Sequence, residues 1–94
     1  MQKFIITQNG VFKYGNVRMH KDLLEAGDSC YGGGFYEFDY ISNRLLLSGR
    51  SYDFGTPMWH HIDILKMPEA FRGLTVLYEG SPVSNFVKIE YVFC

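Results

Sequence analysis

"CYGGGFYEFD", residues 30–39, places three consecutive glycines directly before an alternating run. Two readings compete for it. A glycine-rich loop that opens a helix holds phosphate on its free N–H groups, helped by the helix dipole. A glycine run that enters a strand marks a bulge, a tight bend or the close approach of another segment. Here Gly34 leads into Phe35–Tyr40, where Tyr36, Phe38 and Tyr40 alternate with Glu37 and Asp39. That period of two belongs to a strand with a core face and a wet face. No helix start and no Lys-Ser or Lys-Thr pair follows the glycines, so the strand reading is preferred.

Working outward, Arg44–Gly49 returns across Ile41-Ser42-Asn43 as the second arm of a hairpin. Upstream, Lys3–Gln8 and Val11–Tyr14 flank Asn9-Gly10, a pair suited to a type I′ turn. Asn16–His20 alternates as a further short strand. "KDLLEAGD" predicts a short helical turn over about 21–26, closed by Gly27, with Asp22 and Glu25 spaced as a capping pair. Downstream, Thr56 can cap a helix and Pro57 is tolerated at its first position. Met58, Ile62 and Leu65 then form one stripe with Trp59 at its margin, so the main helix is predicted over 57–67, ended by Pro68. Leu74–Glu79 and Phe86–Phe93 predict a last pair of strands. The expected fold is α+β: a mostly antiparallel curved sheet of five or six strands with one main helix packed on it. A small, partly closed β-barrel with one helix is the alternative.

The totals bound the rest. Ninety-four residues make a single domain, 1–94, and 47% apolar residues make it globular. Nine basic against ten acidic residues, scattered along the chain, leave no basic stripe for a nucleic acid. No stretch approaches the length of a membrane span, and the opening MQKFIITQNG, with one lysine and an apolar run of three, is not expected to act as a signal segment. Cys30 and Cys94 are the only two cysteines and form no CxxC pair, which suits a reducing, cytoplasmic setting. Aromatic residues reach 17%, more than a core this small hides easily, and Tyr and Trp are enriched at interfaces.

Residues with chemistry are present but do not form a recognisable constellation. Cys30 would need a neighbouring base to become a thiolate, and His20 is the nearest histidine in sequence. His60 and His61 are adjacent, so on a helix they point about 100° apart and do not make the i, i+4 pair of a zinc helix. A metal site assembled from His20, Asp22 and one helix histidine is disfavoured, and no metal or other cofactor is expected. Asp53-Phe54-Gly55 echoes the kinase magnesium motif in a chain far too short for that apparatus. The candidates kept for catalysis are His20, Asp22, Cys30, Asp53 and His60. Those kept for ligand binding are Gly32, Gly33, Gly34 and Trp59. The preferred function is a small, soluble, non-enzymatic module that binds another protein or itself, a homodimer included. The alternative is a small ligand-binding or hydrolytic protein using the segment His20–Gly55 with the helix histidines.

Overall fold

The structure is a computed structural model and describes residues 2–57, 69–71 and 73–82. Six strands form one sheet: β1 (Gln2–Thr7), β2 (Phe12–Asn16), β3 (Cys30–Asp39), β4 (Arg44–Ser48), β5 (Thr75–Tyr78) and the two-residue β6 (Ser81–Pro82). Their order across the sheet is β2-β1-β3-β4-β5-β6. Two 3-10 turns, His20–Leu23 and Glu69–Phe71, complete the elements among the described residues.

The expected α+β class is corrected to a mostly β fold, with no helix of seven or more residues among the described residues. The sheet is also mixed, because β4 and β5 run parallel, Leu45 beside Val76 and Leu47 beside Tyr78. Alternation shows that a segment is a strand but carries no information on its direction. The chain leaves the sheet after Ser48 and re-enters at Thr75, and a crossover of that kind is what parallel pairing requires. Nor is the sheet a barrel among the described residues: β2 and β6 stand at opposite edges. Beyond Pro57, the main helix predicted over 57–67 lies outside the described residues, as does the strand predicted over Phe86–Phe93. The turn predicted over 21–26 is the 3-10 turn His20–Leu23, and Val17 to Met19 ahead of it are not strand.

Both hairpins read from the sequence are present, with different turn chemistry. A type I′ turn needs positive φ at both central residues. Of Asn9 and Gly10 only Gly10 has it, at 76°. Gly10 N–H donates to Thr7 O at 2.9 Å, giving a longer loop with glycine at its left-handed position. The two-residue turn with both φ values positive occurs instead at Glu79 (49°) and Gly80 (84°), between β5 and β6. Between β3 and β4, Asn43 takes φ 52° and Asp39 Oδ1 accepts the Ser42 N–H at 3.2 Å.

The core lies on one face of the sheet. Phe4 and Ile6 of β1, Phe12 of β2, Leu45 and Leu47 of β4, and Val76 of β5 are buried there beneath Phe71 and Leu74. Tyr14, Tyr36 and Phe38 pack against them, so the aromatic surplus forms a continuous cluster. Tyr36 and Phe38 are on the core side as alternation predicts, whereas Tyr40, one step past the strand end, is 75% exposed.

Candidate functional site

The three glycines lie inside β3, and each is approached by something a side chain would displace. A Cβ on Gly32 would lie 2.2 Å from the Thr56 carbonyl oxygen, and its φ of 128° also disfavours an L residue. On Gly33 a Cβ would lie 2.4 Å from the Phe4 carbonyl oxygen and 3.1 Å from Cδ2 of the His20 ring. On Gly34 it would lie 2.5 Å from the Ser48 carbonyl oxygen. The register slips by one residue between Ile6–Gly32 and Thr7–Cys30, leaving Tyr31 as the extra residue of a bulge and turning its ring to the core. The triplet is thus a seat on which two other segments rest.

The first of these segments follows β4. Ser51 and Gly55 exchange backbone hydrogen bonds at 3.2 and 2.8 Å, closing a tight loop. Gly55 O also accepts the Gly33 N–H at 3.3 Å, which ties the loop to β3 where β4 has already diverged. The side chain that organises this loop is the buried Ser51. Its Oγ accepts the N–H groups of Asp53 and Phe54, both at 3.1 Å. Ser and Asp side chains can both make such a turn, and spacing alone does not distinguish them. Ser51→Ala removes both bonds and is expected to cost about 1–2 kcal/mol in chemical denaturation, from roughly 1 kcal/mol per hydrogen bond.

The second segment is the 3-10 turn His20–Leu23. His20 is only 4% exposed, and its Nε2 lies 2.8 Å from the Gly34 carbonyl oxygen. A carbonyl can only accept, so Nε2 carries the proton and the neutral ring donates. The ring also meets Phe35 edge-on at 5.4 Å. Burial, with the Lys3 charge adding to it, holds the His20 pKa below its usual value, while the Gly34 carbonyl and Asp53 oppose that shift. Asp22, one of the other candidates, is exposed and accepts the Met19 N–H at 3.0 Å. Glu25, its expected capping partner, pairs with Lys13 at 3.2 Å instead.

Cys30 is half-buried and closes on its own strand. Its Sγ donates to Gly32 O at 3.1 Å and accepts the Gly32 N–H at 3.3 Å. Burial raises its pKa, and the backbone hydrogen bonds only partly offset this, so the group at neutral pH is the thiol. No hydrogen bond or ion pair joins His20, Asp22, Cys30 and Asp53 to one another among the described residues. His60 and Trp59 lie outside the described residues. No group of three or more His, Cys, Asp or Glu side chains suited to a metal occurs among the described residues.

Two surface features were not singled out from the sequence. A recess of about 460 Å³ is lined by Arg50, Ser51, Tyr52, Gly55 and Thr56. At the β3–β4 turn, Ile41 is 98% exposed beside Tyr40, and Tyr52 is fully exposed on its own loop. An apolar residue inside a predicted turn was the signal for Ile41. No sequence pattern distinguishes Arg50. No helix among the described residues is long and apolar enough to cross a membrane. No family model, curated protein or solved structure matches the chain.

Proposed function

We propose that this chain is a small interaction module with no reaction of its own, pairing with itself or with another protein in the cytoplasm. The observation that carries the reading is the Tyr40–Ile41 pair, 75% and 98% exposed at the tip of the β3–β4 hairpin. Burying two such side chains is worth about 1.5–3 kcal/mol each, the scale of an interface anchor. Two of the five candidate groups for chemistry have other occupations: His20 is buried on a carbonyl, and Cys30 is a protonated thiol within its own strand. Sparse thiols support the intracellular setting.

The test is sedimentation velocity over a wide concentration range. The wild-type chain is expected to gain mass with concentration. A Tyr40→Ser, Ile41→Ser double variant is expected to stay monomeric with its stability changed by no more than about 0.5 kcal/mol, as for surface substitutions generally. A wild-type chain that is monomeric throughout removes self-association from the reading. The recess beside Arg50 supports a second reading, a small-ligand protein. That reading requires a compound that raises the melting temperature of the wild type and not of an Arg50→Ala variant.

A further inference from the structure

The segment from Val17 to Glu25 lies over the glycine seat, with Val17, Leu23 and Leu24 half-buried against the sheet. Lys3 Nζ donates to the Arg18 carbonyl, Leu23 rests against Gly15, and the Lys13–Glu25 ion pair is exposed on its acidic side. Exposed pairs of this kind contribute little. Among the described residues, the segment's buried polar attachment is the His20 ring on the Gly34 carbonyl. We propose that His20 is a pH-sensitive latch: protonation of its ring releases the 3-10 turn and its flanks, residues 17–25, from the sheet while the strands stay paired.

The groups that face the ring set the direction. β1 brings Lys3, whose ammonium is fixed nearby by its bond to the Arg18 carbonyl. The loop after β4 brings Asp53, and β3 offers Gly33, Gly34 and Phe35, none of them charged. On its own element, Lys21 and Asp22 are exposed. The neutral ring fits this setting, because its single N–H has an acceptor and no charge is buried. A protonated ring keeps that bond but places a cation in a nearly dry site near an ammonium, and Asp53 is not within ion-pair distance to neutralise it. Released into water, the ring regains its ordinary affinity for a proton. A group whose pKa is depressed in the closed form holds that form closed above its ordinary value of 6.5 and loses its hold as pH falls below it. The open population then rises by up to about tenfold per pH unit.

Amide hydrogen exchange, corrected for its intrinsic pH dependence, tests this between about pH 7.5 and pH 5.5, the range in which histidine titrates. The reporters are the N–H groups of Met19, Asp22 and Leu24, which are bonded only within the segment, at 3.0, 3.0 and 3.1 Å. Their exchange is expected to accelerate as pH falls, while the amides of β1, β3 and β4 hold their protection. In His20→Gln, whose amide can donate to the same carbonyl without titrating, the pH dependence is expected to disappear. Should that variant not fold, the imidazole resonances of the wild type are followed instead, and their midpoint is expected to coincide with the loss of protection. The proposal fails if the reporters stay protected while His20 titrates, if the strand amides are lost in step with them, or if His20→Gln keeps the pH dependence.

Discussion

Gly32→Ala is expected to destabilise the protein by roughly 3–5 kcal/mol, the sum of a strained backbone and an overpacked contact. The added methyl meets the Thr56 carbonyl at 2.2 Å and the Pro57 Cα at 2.8 Å, so the obstruction is backbone and not a side chain that can swing aside. Relief requires the loop from Ser51 to Pro57 to lift from β3, breaking the Gly33–Gly55 hydrogen bond. Gly73→Ala is the control. Its φ is also positive, at 73°, but nothing among the described residues lies within 4 Å, so it should lose only the conformational part, about 1 kcal/mol. Urea unfolding of the two variants measures the difference. Equal losses would mean that the seat on β3 is not a close contact.

Phe12→Ala should have a comparable effect, about 3–5 kcal/mol, as for other large buried rings. Phe12 is 2% exposed and joins two parts of the core. It stacks on Phe4 at 4.9 Å with 13° between the planes, and meets Phe71 edge-on at 5.0 Å and 75°. Removing the ring leaves a cavity between β1 and the 3-10 turn Glu69–Phe71, on a strand that stands at the sheet's edge among the described residues. A chain of 94 residues has roughly 5–14 kcal/mol of total stability, so the variant should melt at a much lower temperature, if it folds at all. Phe12→Leu keeps most of the volume and should lose only about 1–1.5 kcal/mol. Calorimetry on the pair checks both values. A small loss in Phe12→Ala would show that the cluster repacks freely.

How much of this was legible in the sequence differs from element to element. Phe35–Asp39 announces itself as a strand because its side chains must alternate between a wet face and an apolar face. Glycine before such a run had already pointed away from an anion cradle and toward close approach. What approaches was not legible. The Thr56 carbonyl lies more than twenty residues downstream of Gly32, and the His20 ring sits on Gly33 only because the chain between β2 and β3 folds back over the sheet. The alternation read through Asn16–His20 was too short to establish a strand, and a 3-10 turn takes over at His20. Cys30 and His20 looked like possible partners in chemistry because both residue types are reactive. Burial and backbone bonding decided otherwise, and neither is written in residue spacing.

By itself the sequence determined the β1–β2 and β3–β4 hairpins and which side of β3 faces the core, since each depends on residues a few positions apart. Only the tertiary structure decided the direction of β5 beside β4, the occupants of the glycine seat, the burial of His20 and the exposure of Tyr40. Those depend on contacts between distant segments, where many pairings satisfy the same local pattern and packing selects one.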